Sequence, residues 1–347
     1  MTVSEKKGCS LSAEIARTGL RAPVNVTWEV TLQCNLRCTH CLSDAGSESA
    51  EELSTAECRK LIDQLAALRV FQVNIGGGEP FIREDFLELL DHAHERGLVT
   101  CASSNGLLID RTLARRLARM EKFYLQVSLD GATAEVNDPI RGRGTYDRVL
   151  TAMGYLAGEG VRFSVNTVLT RNNYPQLETL GNLAREYGAE LRVSRFRPSG
   201  RGKDSRARLA PETAQLEAFA EWLERNQRVR TGDSFFCLTS EKRRRQGLDM
   251  CGAAKLTCCL SPTGRLYPCA FLQEPAFLAG DIRTGSFKEL WDHSPVFAQL
   301  RQLNVKACRT CPRFEDCRGG CPAVAYHVHR DISRPDPECL VNLRTAA

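Results

Sequence analysis

The sequence predicts an α/β protein: a partial (β/α)6 TIM-like barrel followed by a smaller, cysteine-rich C-terminal domain. Three observations predict it. Extended apolar segments alternate with helix patterns six times between residue 23 and about 195; a cysteine triplet directly follows the first extended segment; and cysteines become dense after about residue 235. Six β-α units at this spacing imply parallel strands with right-handed crossovers, and where eight would close a barrel, six leave it open along one side. The expected division is an N-terminal extension over 1–22, a barrel over 23–230 and a cluster domain over 231–347.

The elements follow in order. Residues 24–31 are β-branched and extended. Ser54-Thr-Ala-Glu57 is a capping box, and Leu61, Ile62, Leu65 and Leu68 then form an apolar stripe at helical spacing. Residues 70–75 predict the second strand and 85–96 a helix closed by Gly97. A strand over 98–103 precedes a helix from Asp110, and a strand over 123–129 precedes a helix over 146–157. The last two units pair a strand at 161–168 with a helix at 174–187, and a strand at 190–195 with a helix at 211–225. Between these last two, Arg197-Pro-Ser-Gly-Arg-Gly202 has the composition of a linker. Beyond about 235 the chain is rich in Cys, Pro and Gly and short of periodic structure, so a hydrophobic core alone is not expected to hold it and metal clusters are expected to do that work.

The chain has 347 residues, 16 cysteines and a net charge of +5. No run approaches the length of a transmembrane helix, and the Lys/Glu/Ser-rich start lacks the apolar segment of a secretory signal. In the reducing cytoplasm spaced cysteines indicate metal rather than disulfides. Basic residues cluster between 195 and 208 and at Lys242-Arg243-Arg244-Arg245, which read as solvated faces, or else as a patch attracting an acidic peptide. No aromatic residues interleave with them as single-stranded nucleic acid would require.

The triplet Cys34-Asn-Leu-Arg-Cys38-Thr-His-Cys41 places three thiols where the first strand ends, the end at which such sheets bind ligands. Three thiols cannot fill the four iron sites of a [4Fe–4S] cube, so one iron is left for a ligand that is not protein. Zinc fits less well, because it prefers four protein ligands and no fourth lies nearby. An electron carrier would need complete four-thiol ligation, which the triplet contradicts. His40 inside the triplet, and His327 and His329 further on, read as structural or solvent-facing. No catalytic acid, base or nucleophile constellation stands out.

The triplet, followed by Gly76-Gly77-Gly78-Glu79-Pro80 after the second strand, resembles the radical S-adenosylmethionine superfamily. That resemblance implies that S-adenosylmethionine binds the open iron and that one electron releases a 5′-deoxyadenosyl radical. It also implies cofactor contacts from Gly76, Gly77, Gly78 and Glu79, from Ser104 and Asn105, from Ser128 and Asp130, and from Arg141 to the cofactor's carboxylate.

The C-terminal cysteines, Cys251-x12-Gly264-x4-Cys269, then Cys308-x2-Cys311-x5-Cys317-x3-Cys321, then Cys339, resemble the SPASM auxiliary-cluster domain. The family pattern implies one closed cube on Cys251, Cys269, Cys321 and a fourth thiol, Cys258 (its neighbour Cys259 remaining possible), and a second on Cys308, Cys311, Cys317 and Cys339. Three [4Fe–4S] clusters are thus expected in all. Cys9, Cys58, Cys101 and Cys237 fall outside both patterns and read as ordinary thiols.

Several stretches are similar to the mycofactocin maturase family in particular: residues 70–80, 128–138, 197–202 and 231–236. This similarity implies action on a small precursor peptide ending in Val-Tyr. The C-terminal carboxylate is removed oxidatively, an auxiliary cluster takes the remaining electron, and a Val–Tyr carbon–carbon crosslink follows. A separate PqqD-like chaperone would present the peptide and an external donor would supply electrons. The sibling readings are another SPASM maturase, forming thioether or Glu–Tyr crosslinks, or a radical haem-side-chain decarboxylase.

Overall fold

The computed structural model describes residues 20–46, 51–231 and 251–341. Cys9, Cys237, the 242–245 basic run and nearly all of the 1–22 extension and the 231–236 stretch lie outside the described residues. Six parallel strands run in sequence order: β1 (Asn25–Thr31), β2 (Gln72–Gly77), β3 (Val99–Ser104), β4 (Phe123–Ser128), β5 (Phe163–Leu169) and β6 (Glu190–Arg195). Their crossovers carry α1 (Thr55–Ala67), α2 (Phe86–Glu95), α3 (Arg111–Ala118), α4 (Ala134–Arg141), α5 (Thr145–Gly158) and α6 (Leu177–Glu186). After β6 come α7 (Gly202–Leu209), α8 (Thr213–Arg225) and β7 (Arg230–Thr231), which pairs parallel with β6. All six predicted strands are present. The capping box is formed too, with Ser54 Oγ accepting from the Glu57 N–H and the Glu57 carboxylate accepting from the Ser54 N–H.

Two helices of the barrel escaped the sequence. α4 contains Pro139, which argues against a helix, and α7 averages too polar to show an apolar stripe.

The C-terminal segment does not stand apart. β8 (Thr257–Leu260) pairs parallel with β1, and β9 (Arg265–Tyr267) and β10 (Gly280–Asp281) continue outward, making one sheet in the order β10-β9-β8-β1-β2-β3-β4-β5-β6-β7. Nor does it lack a core. Phe287 and Trp291 on α9 (Phe287–His293) and Phe297 and Leu300 on α10 (Pro295–Arg301) join the hydrophobic cluster that fills the barrel's helical layer. These seven-residue helices are shorter than the window in which helical periodicity becomes visible.

Alternation along the strands separates two faces. On β4, Phe123, Leu125 and Val127 are buried against the helices, while Tyr124, Gln126 and Ser128 turn to the opposite face, which lines the open barrel's lumen. The same parity puts Thr27, Asn74, Gln126, Asn166, Arg192 and Ser194 on that face, a polar interior where a closed barrel would be packed with branched apolar side chains.

Candidate active site

β1 ends at Thr31, and the chain turns at once into the loop carrying Cys34, Cys38 and Cys41, each partly exposed. The end of β2 lies against this loop: Gly78 N–H donates to Thr31 O (2.7 Å) and Glu79 N–H to Gln33 O (2.8 Å). A Cβ on Gly78 would sit 1.9 Å from Gln33 O, and one on Gly77 (φ +112°) 2.3 Å from Thr31 O. Two of the three glycines therefore serve the chain's own close approach. Gly76 alone has room, a Cβ there meeting nothing nearer than Ser103 Cβ at 4.0 Å.

Glu79 is fully buried. Its carboxylate accepts from Asn105 N–H (2.7 Å), Ser104 Oγ (2.9 Å) and Phe81 N–H (3.3 Å). Burial pushes its pKa up to about 7 in spite of these bonds. Asn105 in turn donates through Nδ2 to Asn35 Oδ1 (2.6 Å) and lies 3.8 Å from Cys34 Sγ. Glu79, Ser104 and Asn105 thus form one chain of contacts from β3 to the cysteine loop.

Asp130 and Arg141, expected as cofactor contacts, pair with each other beside the cysteine loop. Asp130 is fully buried, with Oδ2 against His40 Nε2 (2.6 Å) and Arg141 Nε (2.7 Å) and Oδ1 accepting from Val168 N–H (2.8 Å). Burial opposes its charge, but Arg141 and His40 outweigh burial and hold the carboxyl at about 2. Arg141 is buried too, its Nη1 4.0 Å from Cys38 Sγ. Both oxygens of Asp130 are taken by its own chain, so this pair braces the cysteine loop from beneath. His40 is the structural member of that brace and not a solvent-facing residue. Ser128, at the end of β4, remains partly exposed on the lumen face.

The linker-like stretch at 197–202 is a clamp. Arg201 donates from Nε to Cys38 O (2.9 Å) and from its backbone N–H to Cys41 O (3.0 Å), and Ser205 Oγ donates to Thr39 O (2.7 Å). Gly200 (φ +51°) would place a Cβ 2.4 Å from Cys41 O. The basic cluster is likewise not a solvated face at its start. Arg195 is buried in a bidentate pair with Asp336 (2.6 and 2.7 Å) and contacts Glu338 (2.6 Å), and Arg197 is buried over the Phe271 ring, 3.7 Å from its centroid. The Arg/Gly/Pro run was the one signal in the sequence for this clamp.

In the C-terminal region Cys308, Cys311, Cys317 and Cys339 line one cavity of about 300 Å³, together with Thr310, Phe314, Gly319 and Gly320. Cys251 and Cys321 lie near enough to Cys269 that, after burial, they raise its pKa further. Cys258 is not with them. It lies opposite Val26 on the helix-packed face of β8, where Arg301 is its charged neighbour, whereas Cys259, opposite Thr27, faces Cys269 and Glu29. Strand alternation allows only one of two adjacent cysteines to face inward, and the register chose Cys259.

The fourteen described cysteines are free thiols, and among the described residues no group of three or more His, Cys, Asp or Glu is placed to hold a single metal ion. Sulfur-only donor sets around a space wider than one ion fit iron–sulfur clusters.

Comparison with known proteins agrees. Residues 28–184 match the radical SAM superfamily and residues 251–312 the SPASM iron–sulfur cluster-binding domain. Over 328 residues the chain is 44% identical to the mycofactocin maturase of Mycobacterium ulcerans (strain Agy99), covering 93% of this chain and 89% of the relative. The chain belongs to the mycofactocin maturase family. As radical SAM enzymes, members of this family use [4Fe–4S] clusters and S-adenosylmethionine. This maturase is also 30% identical to the AdoMet-dependent heme synthase of Methanosarcina barkeri (strain Fusaro), over 92% of this chain and 97% of that one. It shares its fold with SuiB of Streptococcus suis, solved with S-adenosylmethionine bound: TM-score 0.77 at 20% identity, over 94% of this chain and 80% of SuiB.

Proposed function

We propose that this maturase oxidatively decarboxylates the C-terminal tyrosine of a precursor peptide ending in Val-Tyr and then joins the new end to the valine through a carbon–carbon bond. The similarity at 44% identity along almost the whole chain carries the reading. Cys34, Cys38 and Cys41 would hold the cluster that binds S-adenosylmethionine, with Gly76 and Ser128 on the cofactor's side of the lumen. Cys308, Cys311, Cys317 and Cys339 would hold one auxiliary cluster, and Cys251, Cys269 and Cys321 the other, with Cys259 in place of Cys258. When bound, the first cluster and S-adenosylmethionine supply a 5′-deoxyadenosyl radical.

The chain's own contribution is rigidity. Glu79, Asn105, the Asp130–Arg141–His40 brace and the Arg201 clamp hold the cysteine loop against the strand ends, so that a peptide in the lumen meets a preorganised site. The tyrosine β-carbon gives up one hydrogen atom; the carboxylate then leaves as carbon dioxide and one electron departs, giving an unsaturated tyramine-like end. A separate PqqD-like chaperone would present the peptide and an external donor would supply electrons. The free thiols suit the cytoplasm, and no described helix is long and apolar enough to cross a membrane.

Mass spectrometry of a Val-Tyr-ended peptide after anaerobic reaction with the reconstituted enzyme tests this. The peptide should lose carbon dioxide and two hydrogens. An unchanged peptide alongside 5′-deoxyadenosine formation would move the assignment to a sibling substrate, of which a haem side chain is the first to try, given the heme synthase similarity.

A further inference from the structure

We propose that Arg192, in the lumen of the open barrel, binds the C-terminal carboxylate of the peptide substrate; the inference rests on the peptide reading above.

β6 buries Leu191 and Val193 against the helices and leaves Arg192 and Ser194 partly exposed on the lumen face. Register places Ser128, Asn166 and Arg192 in one row across β4, β5 and β6. Ser194 Oγ donates to Asn166 Oδ1 (2.8 Å), which orients the amide and leaves its Nδ2 donors to face elsewhere.

Arg192 has no carboxylate partner among the described residues. Glu190, two residues earlier on the same face, is paired with Arg230 (2.6 Å) and reached by Tyr124 Oη at 3.5 Å. Glu29, across the lumen on β1, accepts from Ser43. The Arg192 guanidinium also reaches inward. Burial raises the Cys101 thiol on β3, and Gln126 and then Arg192 pull it partly back. Two strands separate β3 from β6, about 14 Å in a flat sheet, so the sheet's curvature and the arginine's length bring that charge over the lumen.

A half-buried guanidinium left without an anion is costly, and its planar fork matches a carboxylate. The Asn166 amide beside it would add a third donor. The same carboxylate chemistry exists on the methionine part of S-adenosylmethionine. The position on β6 favours the peptide: the cysteine loop is held beyond the strand ends, by Gly78, Glu79 and Arg201, whereas Arg192 lies three residues short of the end of β6. The peptide's carboxylate sits two bonds from the tyrosine β-carbon, and fixing it would fix that carbon.

The test is equilibrium binding, by fluorescence anisotropy, of synthetic peptides ending in Val-Tyr as the free acid and as the C-terminal amide. The reconstituted wild type is compared with R192Q and R192K, and S-adenosylmethionine affinity is measured in parallel. The wild type should prefer the acid by roughly tenfold or more, the worth of a charge-assisted pair. R192Q should bind acid and amide alike, at the wild type's amide affinity, with R192K between. Unchanged amide binding shows that the variants are folded. An acid preference that persists in R192Q overturns the proposal, as does a loss of S-adenosylmethionine affinity with peptide discrimination intact. A wild type that binds neither peptide defeats the peptide reading itself, and this inference with it.

Discussion

Replacing Arg195 by methionine should unfasten the C-terminal region from the barrel. The arginine leaves the end of β6 with a side chain only 3% exposed, Asp336 is 1% exposed and Glu338 15%. Asp336 also accepts from the backbone N–H of Cys321 (2.9 Å), so the pair ties a barrel strand to a thiol proposed above as an auxiliary-cluster ligand. Methionine keeps the volume of the stem but strands two carboxylates beside each other with no counter-charge. Removing one partner of a buried pair costs about 3–5 kcal/mol. With an unfolding entropy near 2.1 cal/mol/K per residue, about 0.7 kcal/mol/K for a chain of this size, that cost lowers Tm by roughly 4–7 °C. Anaerobic thermal unfolding followed by circular dichroism reads this directly, and iron analysis should show less retained cluster. Adding D336N and E338Q to the same protein should recover much of the loss, since neutral partners leave no charge stranded. A Tm within 1 °C of wild type and full iron content in R195M would refute the reasoning.

Three further outcomes follow from the site. Gly78→Ala should abolish 5′-deoxyadenosine formation and reduce iron at the first cluster, because the new methyl meets Gln33 O at 1.9 Å, whereas Gly76→Ala should retain iron; equal effects of the two would show that the close approach is not what glycine provides. Arg141 and His40 hold Asp130 at about 2, below the ordinary aspartate value of 3.8, so its folded pKa is depressed and it stabilises the fold by about 2 kcal/mol above pH 3.8, a contribution lost as pH falls through about 2. The stability gap between wild type and D130N should therefore be widest near neutrality and shrink toward pH 3 in denaturant titrations. Cys258→Ala should leave the auxiliary iron and its EPR signals intact, because that thiol faces Arg301, while Cys259→Ala should lower them; the reverse pattern would restore Cys258 as the ligand.

Local signals carried the strands, the capping box and the helix ends. Each rests on a few adjacent residues whose pattern survives any packing: Ser54 with Glu57, Gly97 after a helix, extended segments of six or seven residues between turn signals. α4 and α7 were illegible because their stability comes from what they pack on. Thr39 N–H meets Ile140 O at the end of α4, and α7 begins in the clamp on the cysteine loop. The C-terminal core was missed for the same reason. Its helices are too short to show a period, yet Phe287, Trp291 and Phe297 are completely buried once β8 has joined β1.

By itself the sequence determined the chemistry: which thiols are present, their spacing, and a triplet that leaves one iron site open, because ligand count is a local property of the chain. Only the tertiary structure decided how the neighbouring polar groups are used. Asp130 and Arg141 neutralise each other beneath the loop, Glu79 locks the end of β3, the run from Arg197 to Gly202 grips the cysteines, and Cys259 rather than Cys258 faces inward. Such assignments depend on which charge finds which partner and which face a strand presents. Both are fixed by contacts between residues far apart in sequence, where no spacing rule reaches.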